Sequence, residues 1–279
     1  MKGLLVINKP EGYTSRDVVN IVSHVLHEKR VGHTGTLDPL ATGVLVICIG
    51  KYTKLVDLLT SLNKEYIAEI KLGIETDTLD ITGNILKKEK VHVEKLDLLK
   101  VFSKFIGEYQ MEVPKYSAIK VNGKKLYEYA RNEEKVELPV KTVHIYELEL
   151  LSFYQDIVSF RCLVEKGTYI RSLIRDMMKK LNIIGTMHHL VRTKQGNFKV
   201  EDAYSLEEIE NNQFQLLSIS DVLNISKYEL NELEYKKVCN GNRVYLNFEK
   251  FMVLLMYHGE EIAIYQKDQE LYKPYVMLI

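Results

Sequence analysis

Residues 32–45 read Gly32-His33-Thr34-Gly35-Thr36-Leu37-Asp38-Pro39-Leu40-Ala41-Thr42-Gly43-Val44-Leu45, a polar stretch interrupted by glycines. It separates two apolar runs. Residues 18–26 have helical spacing, and residues 44–49 are rich in β-branched side chains, which predicts a buried strand. Glycine permits backbone angles that other residues avoid, and Pro39 keeps Asp38 out of the α region. We therefore expect Asp38 at a defined place on a loop, directly before a rigid strand.

Asp38 has two alternative roles on this loop. An aspartate before a proline usually caps a turn or a short helix, and the physics of the loop alone favours that role. A carboxylate held at a defined place is also suited to catalysis. The rest of the sequence has to decide between the two.

The composition is that of an ordinary globular protein. The chain has 279 residues, 46% hydrophobic and 27% charged, which suffices for one large domain and a smaller one. No apolar run approaches the length of a membrane span and the first residues do not resemble a signal peptide, so we expect a cytoplasmic protein with no membrane partner. Cys48, Cys162 and Cys239 are far apart in the sequence, which suits reduced thiols better than a disulfide frame or a zinc site.

The charges are distributed unevenly although the formal net charge is zero. Residues 161–200 contain nine Lys or Arg against two Asp or Glu, a net charge of +7, whereas residues 201–235 contain one Lys against nine Asp or Glu, a net charge of −8. Such a chain can present a basic face to nucleic acid. The alternative is a pair of oppositely charged helices with solvated faces.

Hydrophobic spacing predicts both strands and helices. Strands are expected at residues 4–7, 44–49, 64–73, 140–150 and 157–165. Helices are expected at residues 18–26, 53–62, 93–106 and 168–180. Thr14 or Ser15 is expected to cap the first of these helices, and Thr168 the last.

The stretch at residues 32–45 resembles the signature of the bacterial tRNA pseudouridine synthase B family, over a long and gapless match. The family isomerises uridine-55 in the T-loop of tRNA. The resemblance implies that Asp38 is the catalytic aspartate and that His33 fills the space left by the flipped base. It also implies an α+β pseudouridine synthase fold, with a central mixed or antiparallel sheet and flanking helices. The predicted elements are compatible with this fold but do not select it.

Four further motifs extend the resemblance. Residues 64–66 match a K-x-Y context, which implies that Tyr66 stacks on the target uracil. Residues 167–171 read GTYIR, which implies that Arg171 and Tyr169 lie at the target nucleotide, with Arg171 against the catalytic aspartate. Residues 189–196 read HLVRTKQG, which implies that Leu190 lines the uracil pocket. Residues 73–80, GIETDTLD, also match the family, although their aspartates are equally typical of turns or of a metal site.

A basic segment at residues 114–142 resembles the part of the family that grips the tRNA T-arm. Tyrosines are interleaved with its cations, a combination that suits phosphate contact and base stacking. The implied RNA-binding residues are Lys115, Lys120, Lys124, Lys125 and Arg131. The segment has too few consecutive apolar residues to bury itself against the body of the protein, so we expect it to be mobile or displaced without RNA and to close over the T-arm on binding. Val113 and Asn132-Glu133 depart from the family pattern.

These interpretations combine into one expected organisation. Residues 1–223 are expected to form the catalytic domain, with the RNA-gripping insert at 114–142, and residues 224–279 a short PUA-like RNA-binding domain. The isomerisation adds and oxidises nothing, so neither a cofactor nor a metal is expected. The expected partner is the T-arm of tRNA, bound by a monomer without an obligatory protein partner.

Three alternative functions are open from the sequence. The first is a non-catalytic RNA-binding or RNA-chaperone protein on the same scaffold. The second is a guide-RNA-dependent relative that modifies ribosomal RNA. The third is a metal hydrolase that uses His33 and Asp38. The combination of Asp38, Tyr66 and Arg171 disfavours the first, since binding alone does not need that carboxylate.

Overall fold

The structure is a computed structural model that describes every residue from Met1 to Ile279. The helices are α1 (Ser15–Val25), α2 (Val56–Thr60), α3 (Lys95–Phe105), α4 (Leu126–Arg131), α5 (Ile170–Lys180), α6 (Leu206–Glu210), α7 (Ile219–Val222) and α8 (Glu232–Cys239), with 3-10 turns at Gly50–Leu55 and Val200–Asp202. The strands are β1 (Gly3–Lys9), β2 (Val31–His33), β3 (Thr42–Ile49), β4 (Lys64–Leu72), β5 (Ile74–Thr76), β6 (Ile85–Lys88), β7 (Gly107–Glu112), β8 (Lys120–Val121), β9 (Lys124–Lys125), β10 (Val140–Tyr154), β11 (Ile157–Val164), β12 (Gly185–Gln195), β13 (Phe198–Lys199), β14 (Lys227–Glu229), β15 (Met252–Tyr257), β16 (Glu260–Asp268) and β17 (Leu271–Met277).

The chain divides into two compact units. The first unit comprises Met1–Asp38, Val44–Thr60 and Asn197–Ile279, and the second comprises Pro39–Gly43 and Ser61–Gly196. None of the helices combines the length and the apolar character that crossing a membrane requires.

The second unit is built on a mixed sheet. Its strands follow the order β12-β4-β11-β10-β7 and are antiparallel, while the first residues of β3 run parallel to β12. Alternate residues of β4 are buried, as the period of two along a strand requires. Phe160 of β11 packs edge to face against Phe102 of α3, with ring centroids 5.6 Å apart, and α5 packs on β12. Helices therefore flank this sheet, which confirms the α+β class.

The first unit contains two hydrophobic clusters. In one, the apolar stripe of α1 packs on β1 and β3 through residues such as Val18, Leu5 and Ile47. In the other, the four-stranded sheet β14-β15-β16-β17 buries Tyr265 and Tyr272 together with residues of α8. Residues 224–279 thus have a sheet and a core of their own, and their separation as a domain at residue 223 stays a prediction.

The structure corrects two details of the predicted helices. The helix expected at residues 53–62 is a 3-10 turn followed by the short α2. The expected cap at Thr168 is wrong, because α5 begins at Ile170 with Tyr169 as its N-cap residue. The Thr168 hydroxyl donates instead to the carbonyl oxygen of Glu165, at 2.8 Å.

Candidate active site

Asp38 lies half-buried on the loop between β2 and β3. The residue before it, Leu37, is held to the start of α1. The main-chain N–H of Leu37 donates to Ser15 Oγ at 2.9 Å, and Ser15 Oγ donates to the Leu37 carbonyl oxygen at 3.2 Å. Earlier in the loop, the N–H of Thr34 donates to the Val46 carbonyl oxygen at 3.0 Å. The loop is therefore fixed to α1 and to β3, as expected for a carboxylate at a defined position.

His33 is the last residue of β2 and pairs with Ile47 of β3. Its ring is half-buried, and Nδ1 lies 3.4 Å from the main-chain nitrogen of Gly35, which donates to it. The strand pairing and this local contact fix His33 at the start of the loop that carries Asp38.

Gly43, the second residue of β3, shows why a glycine follows the loop. Thr42 and Gly43 pair with Val191 and Arg192 of β12. Gly43 has a φ of +98°, and a Cβ at this position would overlap the Arg192 carbonyl oxygen and lie 2.9 Å from the Arg192 nitrogen. Only glycine combines this backbone angle with so close an approach of two strands.

Tyr66 and Leu190 share the helix-covered face of the sheet in the second unit. In the register of β4 and β12, Tyr66 faces Arg192 and Ala68 faces Leu190. Residues two apart on a strand share a face, so Tyr66 and Leu190 are diagonal neighbours across the strand pair. Tyr66 is 7% exposed and Leu190 is 5% exposed. The structure thus brings these two predicted site residues together.

Arg171 is the second residue of α5 and is 5% exposed. Its Nη1 donates to the Thr78 carbonyl oxygen and its Nη2 to the Tyr116 carbonyl oxygen, each at 3.0 Å. Tyr169, the half-buried N-cap residue of the same helix, donates its main-chain N–H to Met111 Sδ at 3.3 Å. The guanidinium therefore joins three segments of the second unit: α5, the turn after β5 and the start of the basic segment.

The two aspartates of residues 73–80 organise that turn. Asp80 accepts from the hydroxyls of Thr78 and Thr82, at 2.9 and 2.6 Å. Asp77 accepts from the main-chain and side-chain nitrogens of Asn84, at 2.8 and 3.0 Å. Of the alternatives left open by the sequence, the turn role is the one that the structure shows.

Helix α5 is anchored to β7 by side chains on its next turn. The Ser172 hydroxyl donates to the Glu112 carbonyl oxygen at 2.8 Å, and Arg175 pairs with the Glu112 carboxylate at 2.9 Å. The Tyr109 hydroxyl donates to the carboxylate of Asp176. Burial of Tyr109, then its hydrogen bond to Asp176 and the negative charge of that carboxylate, raise the pKa of this hydroxyl, so it stays protonated and keeps donating. These contacts fix the helix that carries Arg171.

The basic segment at residues 114–142 has defined structure. It contains the hairpin β8-β9 and helix α4, and Leu126 and Ala130 are buried. These two side chains are buried although the segment has few consecutive apolar residues. That the segment is mobile or displaced without RNA stays a prediction.

The cations of this segment lie beside its tyrosines. Lys124 lies 4.7 Å from the centroid of the Tyr129 ring and pairs with Glu134 at 2.6 Å. The Tyr127 ring has Lys125 at 5.4 Å and Arg131 at 5.5 Å from its centroid. The structure thus groups three of the five predicted RNA-binding cations around two aromatic rings. Lys115 is half-buried and Lys120 is exposed on β8.

Sequence reasoning did not assign a role to Lys64, which is 6% exposed and lies two residues before Tyr66 on the same face of β4. Its ammonium donates to the Leu62 carbonyl oxygen at 2.6 Å. Burial, reinforced by the positive charges of Arg192 and Lys166, lowers the pKa of Lys64 to about 8. Only its place beside Tyr66 in the strand pattern signalled that it would be buried.

Comparison with known proteins gives consistent results. The family model for the TruB family pseudouridylate synthase (N terminal domain) matches residues 23–170. The chain is 41% identical over 279 residues to tRNA pseudouridine synthase B of Alkaliphilus oremlandii, covering 96% of this chain and 91% of that protein. It is 39% identical over 300 residues to tRNA pseudouridine synthase B of a Bacillus cereus strain, covering 100% of this chain and 98% of that protein.

Solved structures share the fold at lower identity. A Cbf5-Nop10-Gar1 complex matches with a TM-score of 0.74 and 23% identity, over 99% of this chain and 85% of that chain. An H/ACA RNP bound to a substrate RNA containing 2′-deoxyuridine matches with a TM-score of 0.73 and 21% identity, over 99% of this chain and 85% of that chain. These structures agree in fold, and the sequence relatives place the chain in the tRNA pseudouridine synthase B family: the protein is a pseudouridine synthase, an isomerase.

Proposed function

We propose that this protein converts uridine-55 in the T-loop of tRNA to pseudouridine, and that Asp38 carries the chemical step. The observation that supports this most is the rigid loop at residues 32–45. Leu37 is hydrogen-bonded through both of its main-chain polar groups, and the proline that follows Asp38 restricts its backbone. A loop fixed to this degree holds a carboxylate in one direction, which a turn-capping role does not require.

The reaction needs an ionised carboxylate near the sugar. The N1–C1′ bond breaks, the uracil turns, and C5 forms a new bond to C1′. C5 gives up its proton and N1 takes one up, so the product is an isomer of the substrate. An aspartate with an ordinary pKa of ~3.9 is already ionised at neutral pH. Asp38 acts in this proposal either as the nucleophile at the sugar or as the base that opens a glycal route.

Tyr66 and Leu190 receive the flipped base. Taking a base out of its stack costs a few kcal/mol. Stacking on an aromatic ring returns ~1–3 kcal/mol per base. Tyr66 supplies such a ring on a rigid central strand, and Leu190 supplies an adjacent apolar side chain. His33 fills the place that the base leaves in the T-loop.

Arg171 and Tyr169 act at the target nucleotide from the start of α5. The carbonyl oxygens of Thr78 and Tyr116 hold the guanidinium of Arg171 in one orientation. A cation so oriented favours the ionised form of a carboxylate and stabilises charge that develops on the substrate.

Recognition of tRNA falls to the basic segment at residues 114–142, which contains seven Lys or Arg against four Asp or Glu, a net charge of +3. Residues 224–279 contain seven Lys or Arg against eight Asp or Glu, a net charge of −1. Phosphate contacts supply affinity that depends on positive charge. The T-arm is therefore bound through Lys115, Lys120, Lys124, Lys125 and Arg131, and the PUA-like segment adds a smaller share than they do. The protein acts as a cytoplasmic monomer without a cofactor or an obligatory protein partner.

The proposal is tested with purified protein and two tRNA transcripts made in vitro. One carries uridine at position 55, and the matched control carries cytidine there. Pseudouridine mapped to position 55 of the first transcript alone, with no guide RNA added, is the expected result. Binding without product would favour the non-catalytic RNA-binding alternative. Product that appears only after a guide RNA is added would favour the guide-dependent one.

A further inference from the structure

We infer that Ser15 is a positioning residue for Asp38, acting through the main chain of Leu37. This inference rests on the proposed role of Asp38. Ser15 is 2% exposed, and its hydroxyl both accepts from the Leu37 N–H at 2.9 Å and donates to the Leu37 carbonyl oxygen at 3.2 Å. The two residues are separated by 22 positions in the sequence. One buried side chain of α1 therefore satisfies both main-chain groups of the residue before Asp38.

The hydroxyl of Ser15 is not needed to start the helix. Thr14 is the N-cap residue of α1, and its Oγ1 accepts from the Asp17 N–H at 3.1 Å. The Asp17 carboxylate in turn accepts from the Thr14 N–H at 2.8 Å. This reciprocal pair is a complete capping box. The Ser15 hydroxyl, one position later, hydrogen-bonds instead to Leu37 in the loop.

The geometry of Leu37 controls the direction of Asp38. The Leu37 side chain is 3% exposed, so the residue is fixed at its side chain as well as at its main chain. Buried main-chain N–H and C=O groups need partners. Without the Ser15 hydroxyl, the loop has to shift until the N–H finds another acceptor and the carbonyl oxygen another donor, and the Cα of Asp38 shifts with them. A displacement of ~1 Å at a reacting group is able to slow the chemical step about 100-fold.

The test compares Ser15→Ala with Thr14→Ala as a matched control. Both variants remove one hydroxyl at the start of α1, but only Ser15→Ala removes the contacts to Leu37. Three quantities are measured for each: the single-turnover rate at saturating enzyme, the Kd for a T-stem-loop and the Tm. We expect Ser15→Ala to slow the chemical step roughly 10- to 100-fold, with little change in Kd, because phosphate contacts elsewhere dominate binding. Thr14→Ala is expected to lower the Tm but to leave the rate within about twofold of the unmodified protein, since its capping contact does not touch Leu37.

Ser15→Cys provides a second variant, because a thiol is of similar shape but a weaker donor and acceptor than a hydroxyl. Its rate should fall between those of the unmodified protein and Ser15→Ala. If Ser15→Ala does not fold, the rate of Ser15→Cys is compared with that of Thr14→Ala instead. Equal rates for Ser15→Cys, Ser15→Ala and Thr14→Ala would overturn the inference.

Asp38→Asn in the same assay separates this inference from the proposed function. If Asp38→Asn still forms product, the catalytic assignment fails whatever the Ser15 variants do. If Asp38→Asn is inactive while the Ser15 variants keep the rate of Thr14→Ala, only the positioning role is lost.

Discussion

Arg171 donates from Nη2 to the main-chain carbonyl oxygen of Tyr116 across 3.0 Å, although the two residues are 55 positions apart in the sequence. The same guanidinium holds the Thr78 carbonyl oxygen through Nη1. The basic segment is thus fixed, at its third residue, to the helix that carries Arg171.

Arg171→Lys is expected to weaken both this anchor and the reaction. A lysine ammonium is a compact point charge and lacks the planar fork with which arginine reaches two acceptors. We expect the single-turnover rate to fall at least about tenfold, since each good hydrogen bond to a charged group contributes roughly 1.5–3 kcal/mol. Hydrogen exchange near Tyr116 should become faster. Lys180→Gln, on the exposed last turn of α5, is the control and should change neither quantity.

The basic segment is expected to become better protected when RNA binds. Without RNA, hydrogen exchange should be slow around Leu126, which is fully buried, and fast at Asn122 and Gly123 in the hairpin turn. A T-stem-loop should slow exchange across residues 114–142, as expected for a segment that orders on RNA. Equally strong protection of residues 114–142 with and without RNA would show that the segment is already rigid, and would contradict its proposed closure on the T-arm.

Gly43→Ala is expected to destabilise the protein more than Gly12→Ala does. Both glycines have positive φ, +98° at Gly43 and +86° at Gly12, but a Cβ at Gly12 meets nothing within 4 Å. Gly12→Ala should therefore lower the free energy of unfolding by only ~1–2 kcal/mol, the cost of a left-handed backbone conformation for a residue with a Cβ. Gly43→Ala adds the overlap with Arg192 and should cost a further ~1–3 kcal/mol. Urea unfolding measures both, and equal losses would mean that the strand contact at Gly43 is not as close as described.

Lys64 should make stability depend on pH in the alkaline range. Its pKa is lowered to about 8 from the ordinary value of 10.5, by burial and by the charges of Arg192 and Lys166. Between these two values the unfolded chain binds the proton that the folded protein has lost, so the contribution of Lys64 to the free energy of unfolding rises with pH. The free energy of unfolding of the unmodified protein, minus that of Lys64→Met, should therefore increase with pH across that window. Lys166→Gln removes one of the repelling charges, so the pKa of Lys64 should rise towards 10.5 and the pH range of the effect should narrow. If the difference in unfolding free energy between the unmodified protein and Lys64→Met does not change with pH, the pKa of Lys64 is not lowered.

Hydrophobic spacing along the sequence predicted those strands and helices that bury one regular face. Alternating burial along β4 follows from the sequence of residues 64–72, and the helical stripe of α1 follows from Val18, Val19 and Val22. The resemblance supplied the candidate site residues, among which Tyr66 and Leu190 prove to be neighbours on one sheet face.

Contacts between distant segments were outside the reach of those patterns. Ser15 follows Thr14, and the sequence pattern predicts either residue as the N-cap of α1. Nothing near Ser15 in the sequence indicates that its partner is Leu37. The carbonyl acceptors of Arg171 are likewise supplied by segments 93 and 55 residues away. Such contacts depend on the register of strands and the docking of helices, which spacing within one element does not specify.

The central claim is that Asp38 performs the isomerisation of uridine-55. The most direct measurement is a single-turnover assay of pseudouridine formation on a T-stem-loop, with Asp38→Asn compared with the unmodified protein. Asparagine keeps the shape of the side chain but removes the ionisable carboxylate. We predict no detectable product while the Kd for the stem-loop changes little, since most affinity comes from phosphate contacts. Product formation by Asp38→Asn above background would contradict the account.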